Sequence, residues 1–226
     1  MSRTVGLLHT VPALAPSFDG LLAEHAPALR RVHIVDAWLL ATARRVGVTD
    51  EVRDAVAGHV AHLAATGGDA VLVTCSSIGE AAEEAAAGVS IPVVRVDAAM
   101  ARQAVEIASA PTASGRITVL ATLPSTLGPT GRLVQRSAHE AGCPVAVTST
   151  VVPGAAEAAD SGDRAGADAL IAEAVSTAAG AADVIVLAQA SMAGAAQAAA
   201  AAVPVLSSPA GGVQAVLDAV PGSRTA

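Results

Sequence analysis

Cys75 closes the apolar run Val71-Leu-Val-Thr and is followed by Ser76, Ser77 and, three residues beyond Ser77, Glu80. Ser-x-x-Glu is the spacing of a capping box, so a helix is predicted to begin at Ser77. The thiol then stands at the carboxyl end of a buried strand, just ahead of a helix amino terminus. Free backbone N–H groups and the helix dipole at such a place favour a thiolate and can hold a carboxylate. A thiol so placed can serve as acid, base or nucleophile.

The remaining chemistry is bounded by what the chain lacks. It has no lysine and no tyrosine among 226 residues. A pyridoxal Schiff base, a lysine imine and a lysine-dependent phosphate loop are therefore excluded. Net charge is −7, aromatic residues are 1% of the chain, and the arginines are scattered apart from the pairs Arg30-Arg31 and Arg44-Arg45. Neither a basic stripe nor a stacking platform is present, so nucleic acid is not an expected partner. No apolar run is long enough to span a membrane, and the first residues read as a strand, so a cytoplasmic protein is expected. The two thiols, Cys75 and Cys143, suit a free reactive cysteine better than a disulfide framework.

The elements that must position Cys75 alternate between strand and helix. Val5–His9 reads as a strand, followed by a Pro- and Gly-punctuated loop through Gly20, a helix near Leu21–Leu29 and a second strand at Val32–Asp36. Asp50 is a candidate cap for a helix that buries Val52, Val56, Val60 and Leu63. The Cys75 strand, its helix, a strand at Ile91–Val96 and a helix near Ala98–Ala108 complete the set. After Pro111–Gly115 the order repeats, with Pro129 suited to the first turn of the next helix. Regular alternation implies an α/β protein with parallel sheets.

The two halves overlay. Leu7-Leu-His-Thr-Val-Pro12 matches Val119-Leu-Ala-Thr-Leu-Pro124, Asp69–Cys75 matches Asp183–Gln189, and Ile91-Pro-Val-Val94 matches Val203-Pro-Val-Leu206. The offsets stay between about 112 and 114 residues, the mark of a duplication. The expected domains are 1–97 with 208–226, carrying Cys75, and 98–207, carrying Gln189. Two such domains facing one another form a cleft between the carboxyl ends of their strands. Four turns are expected there: His9-Thr10, Thr74–Ser77, Thr122 with Ser125 and Thr126, and Gln189 with Ser191. Hydroxyls and backbone N–H groups at helix starts suit a carboxylate without needing a cation.

The duplicated halves, the strand ending in Thr-Cys-Ser-Ser at Cys75, and the Thr-x-Pro-x-Thr turn at Thr122–Thr126 resemble the aspartate/glutamate/hydantoin racemase superfamily. Arylmalonate decarboxylase and maleate isomerase fall in the same group. The resemblance implies two flavodoxin-like domains related by pseudo-twofold symmetry, no cofactor, and proton transfer by one cysteine per domain on opposite faces of the substrate α-carbon. It also implies a carboxylate held by hydroxyls and amides at positions matching Ser76, Ser77, Thr122 and Thr126. Homodimers are common among such enzymes.

The chain departs from that pattern at one point. The counterpart of Cys75 in the second half is Gln189, which is no proton-transfer base. Cys143 precedes its strand and cannot replace it. A lone Cys75 leaves three reactions open: protonation of an enolate after decarboxylation, thiolate addition to an activated double bond, or proton transfer with His9 as the second acid/base. His9 lies near where glutamate racemases carry an aspartate. Asp36 reads as a cap, His59-x-x-His62 lacks the companions of a metal site, and His25, His33 and His139 read as surface or helix residues. The expected function is a cofactor-independent isomerase or racemase-like enzyme acting at the α-carbon of a small carboxylate. Cys75 and His9 are its expected catalytic residues, with Thr10, Ser76, Ser77, Thr122, Ser125, Thr126, Gln189 and Ser191 binding substrate. The alternatives are a malonate-type decarboxylase and a non-catalytic carboxylate-binding homologue.

Overall fold

A computed structural model describes residues 3–199 and 201–221. The chain divides into two compact units, Met1–Val96 with Pro209–Ala226, and Asp97–Ser208. The termini of the expected first domain, 1–97 with 208–226, extend past the described residues.

The first unit contains β1 (Thr4–His9), α1 (Leu14–His25), β2 (Arg30–Val35), α2 (Ala37–Val46), α3 (Asp50–Ala65), β3 (Ala70–Val73), α4 (Gly79–Ala85) and β4 (Val93–Arg95). Its strands form a parallel sheet in the order β2-β1-β3-β4. The second unit begins with α5 (Ala98–Ala108) and runs through β5 (Arg116–Ala121), α6 (Pro124–Glu140), β6 (Ala146–Val151), α7 (Ala155–Asp160), α8 (Arg164–Ala179), β7 (Val184–Leu187), α9 (Ala193–Ala198) and β8 (Val205–Ser207). Its sheet has the order β6-β5-β7-β8, the same topology as the first. The chain closes with α10 (Ser208–Ala219), where a Cβ added at Gly212 would come within 2.7 Å of Val96 Cγ2.

The duplication extends to side-chain chemistry. Asp69, just before β3, accepts from the Thr4 amide at 2.8 Å, and Asp183, just before β7, accepts from the Arg116 amide at 2.7 Å. Each carboxylate ties the entry of the third strand of its unit to the start of the first. These amide bonds are the leading reason both carboxyls sit below the usual aspartate range.

The cores follow the sequence periodicity. Val52, Val56, Val60 and Leu63 are buried along one face of α3 against Leu8, Val71 and Val73. Leu120, Ile171, Val175, Ile185 and Leu187 form the corresponding layer of the second unit, and Met100, Ala104, Val119, Val134 and Val186 fill the opposite face of its sheet.

Four boundaries differ from the sequence expectation. Thr49, rather than Asp50, caps α3 by accepting from the Val52 amide. The first helix starts at Leu14, not near Leu21, because Pro16 falls in its first turn, where a missing N–H costs no helical bond. Likewise α6 starts at Pro124, leaving Pro129 inside the helix rather than at its start. The helix after Cys75 starts at Gly79 instead of Ser77, since a single 3-10 turn over Ser76–Ile78 intervenes.

Candidate active site

In the first unit, β1 and β3 are parallel neighbours in the register Leu8↔Val73. The residues that follow, His9-Thr10 and Thr74-Cys75, therefore leave the sheet side by side, and the Thr74 amide extends the ladder to the Leu8 carbonyl at 3.0 Å. Cys75 is still extended, with φ −121° and ψ 114°, and the 3-10 turn then presents the Ser77 and Ile78 amides to its sulfur. Behind the turn the chain needs glycine. A Cβ at Gly79 would lie 2.5 Å from the guanidinium carbon of Arg95, a buried cation paired with Glu83 at 3.3 Å.

Cys75 is half-buried, and burial pushes its thiol up from the ordinary value. The Thr10 hydroxyl pulls the other way, followed by the Ser77 and Ile78 amides and the Ser77 hydroxyl. Burial wins, so the sequence expectation of a thiolate-favouring turn is corrected: the thiol rests protonated at neutral pH. The donors that would stabilise its anion are nevertheless in place.

Thr10, Ser76 and Ser77 are all buried around this thiol. The hydroxyl oxygens of Thr10 and Ser76 lack a directional hydrogen-bond partner, although Thr10 is close enough to act on the sulfur. An unmet buried hydroxyl costs about 1–3 kcal/mol, so the Ser76 hydroxyl beside a thiol marks a place where it would donate to a ligand oxygen.

The second unit repeats the backbone without the thiol. Leu120 pairs with Leu187, the Ala188 amide reaches the Leu120 carbonyl at 2.8 Å, and Gln189 has φ −116° and ψ 137° before a 3-10 turn over Ala190–Met192. Gln189 stands where Cys75 does, and its side chain is turned onto Thr122, the counterpart of Thr10. The Thr122 amide donates to Gln189 Oε1 at 2.6 Å, and Gln189 Nε2 donates to Thr122 Oγ1 at 2.8 Å. Ser125 and Thr126 lie in the first turn of α6, and Ser191 lies in the 3-10 turn. The buried Ser125 hydroxyl is unpartnered, as is that of Thr130 one turn on, a residue the sequence reading missed. Cys143 precedes β6, at the opposite end of this sheet from Gln189, with its Sγ 3.5 Å from the Ala141 carbonyl.

His9 is fully buried, and both ring nitrogens are engaged: Nδ1 with Thr74 Oγ1 at 2.9 Å and Nε2 with His33 Nδ1 at 3.0 Å. Burial, then the charge of His33, lowers its pKa from 6.5 to about 4, so the ring is neutral at pH 7. No ring nitrogen is left to face a substrate. His33, read from sequence as a surface or helix residue, is instead its direct partner. Asp36 caps α2 through the Trp38 amide and also meets His59 at 2.9 Å.

A cavity of about 540 Å³ lies elsewhere in the second unit, on the face of β5 and β6, and is lined by none of the expected site residues. Strand register sets Thr118, Thr148 and Thr150 on this face where the first unit has Gly6, Val32 and Ile34; Leu63 packs directly onto Gly6 there, whereas here the three threonines line the opening with Glu173 and Thr177.

Comparison with known proteins places this arrangement. Residues 7–216 match the family model described as Asp/Glu/Hydantoin racemase. Comparison with curated proteins gives no match. Among solved structures, glutamate racemase isoform RacE1 from Bacillus anthracis is similar with a TM-score of 0.74 at 19% identity, covering 96% of this chain and 82% of that one. Allantoin racemase from Klebsiella pneumoniae has a TM-score of 0.68 at 17% identity, covering 98% and 92%. A mutant of arylmalonate decarboxylase has a TM-score of 0.62 at 18% identity, covering 97% and 94%. At these identities the structures establish the fold, two similar parallel α/β domains, while the family match spans nearly the whole chain. The chain belongs to the Asp/Glu/hydantoin racemase family.

Proposed function

We propose that the chain is a cofactor-independent enzyme that moves a proton at the α-carbon of a small carboxylate, with Cys75 as its one acid/base. The observation that carries this is the surround of the thiol: the buried, unpartnered Ser76 hydroxyl and the Thr10 hydroxyl at the sulfur, together with amides of the 3-10 turn directed at it. The hydroxyls would hold the carboxylate, and the donors at the sulfur stabilise the thiolate once a proton has left. Gln189 has no titratable group to serve as a second base, and its amide is committed to Thr122.

A thiol protonated at rest is ready to give a proton before it takes one. This favours, as a second reading, a malonate-type decarboxylation in which loss of CO₂ leaves an enolate that Cys75 protonates. The resulting thiolate then recovers its proton from solvent. Incubation of the chain with aspartate, glutamate or an arylmalonate in D₂O separates the two readings: α-deuteration of recovered substrate supports proton exchange, and CO₂ release with a deuterated product supports decarboxylation. Neither outcome with any of the three acids removes the support for both.

A further inference from the structure

Four side chains of the first unit form an unbroken chain from the surface to the residue before Cys75. Asp19 on α1 meets His33 Nε2 at 3.1 Å, His33 Nδ1 meets His9 Nε2 at 3.0 Å, and His9 Nδ1 meets Thr74 Oγ1 at 2.9 Å. The two rings stack nearly parallel, 10° apart with centroids at 5.2 Å. Asp19 is also held by Arg31 Nε at 2.8 Å, so the charged or titratable groups known to face His33 are Asp19 from α1, His9 from β1 and, through Asp19, Arg31 of β2.

Donor and acceptor counting allows this chain two states. Thr74 Oγ1 lies within reach of both His9 Nδ1 and the Leu8 carbonyl, at 2.9 and 3.2 Å. With His33 neutral, its one proton goes to Asp19, since a carboxylate can only accept. His33 Nδ1 must then accept from His9 Nε2–H, which leaves His9 Nδ1 to accept from the Thr74 hydroxyl. With His33 charged, both its nitrogens donate. His9 then accepts at Nε2, carries its proton on Nδ1 and gives it to Thr74, whose own proton turns to the Leu8 carbonyl. One proton added at His33 reverses every hydrogen bond inward of it, and His9 changes tautomer without ever becoming charged. Its low pKa, set by burial, fits that passive part.

The fold does not require this chain. The second unit builds the same elements with Gly131 where the first has Asp19, Ser149 for His33, Ala121 for His9 and Ala188 for Thr74. All four members are missing from the half that lacks the thiol.

We propose that Asp19, His33, His9 and Thr74 are positioning residues for Cys75, linked so that protonation of His33 turns the Thr74 hydroxyl from His9 to the Leu8 carbonyl. The switch stands on geometry alone, whereas its consequence for catalysis rests on the proposed function of Cys75.

The test is long-range ¹H–¹⁵N spectroscopy of the ¹⁵N-histidine-labelled full chain from pH 5 to 8. His9 is expected to pass from the Nε2–H tautomer at high pH to Nδ1–H at low pH, with the midpoint at which His33 becomes doubly protonated. A single His9 tautomer throughout, or a doubly protonated His9 in that range, overturns the switch. Asp19→Asn keeps an acceptor but removes the charge at an exposed site, and should lower both midpoints together. Midpoints that do not move overturn the role of Asp19. In the Cys143→Ser background, the iodoacetamide rate at Cys75 should show an inflection at the His9 midpoint that shifts equally in Asp19→Asn. A rate without that inflection overturns the link to the thiol while the tautomer result stands. An inactive or unaltered Cys75→Ser enzyme bears only on the proposed function.

Discussion

The Thr122 amide donates to the side-chain oxygen of Gln189 at 2.6 Å, in the place where the first unit sets Thr10 beside Cys75. Both turns have the same extended residue and the same following 3-10 turn. One is closed by its own amide, and the other keeps a thiol with a hydroxyl beside it. Removing the closure by Gln189→Ala frees the Thr122 amide and hydroxyl, and should cost about 1–2 kcal/mol in urea unfolding. The Cys75 alkylation rate should be unchanged in that variant.

Cys75→Ser should lower any turnover by about 10²–10⁴-fold, the usual contribution of a positioned acid/base. Cys143→Ser should leave it within a factor of about two, since that thiol lies at the other end of its sheet, against the Ala141 carbonyl. Steady-state rates of both variants check the pair.

Thiol titration gives a third expectation. Because burial outweighs the Thr10, Ser77 and Ile78 donors, Cys75 in Cys143→Ser protein should absorb as thiolate at 240 nm only above the range of a free cysteine, about pH 8.5. Thr10→Val should raise the midpoint further by removing the first of those donors. A thiolate already formed at pH 7 would contradict this account of the site.

Acid stability reports on His9. Its folded pKa, about 4, lies below its ordinary 6.5, so the unfolded chain binds more protons between those values. The stability from keeping the ring neutral is complete above pH 6.5 and is lost as pH falls toward 4. That gap is worth about 3 kcal/mol at most. Urea midpoints at pH 7 and pH 4.5 should therefore converge in His9→Gln relative to the unaltered chain.

The parts of this picture that local spacing encodes were legible in the sequence. Paired Thr-x-Pro turns and repeated Asp-led strands announced the duplication, and valines at helical spacing marked the buried face of α3. Cys75 was visible because a thiol at the end of an apolar strand is a local pattern. The chain through His9 was not. Asp19 and His33 are 14 residues apart and His9 and His33 are 24 apart, and only the parallel register of β1 with β2 and a helix starting before Pro16 unite them. The grip of Gln189 on Thr122, across 67 residues, has the same origin. The resting state of the thiol was hidden for another reason: helix-start amides are readable from sequence, but the burial that outweighs them is tertiary.

The most direct test of Cys75 as the one acid/base is α-hydrogen exchange in D₂O, followed by mass and optical rotation with aspartate, glutamate and an arylmalonate. Deuterium is expected at the α-carbon of substrate or decarboxylated product, delivered to a single face and abolished in Cys75→Ser. Inversion to a racemic mixture, or deuteration that survives in Cys75→Ser, would contradict it.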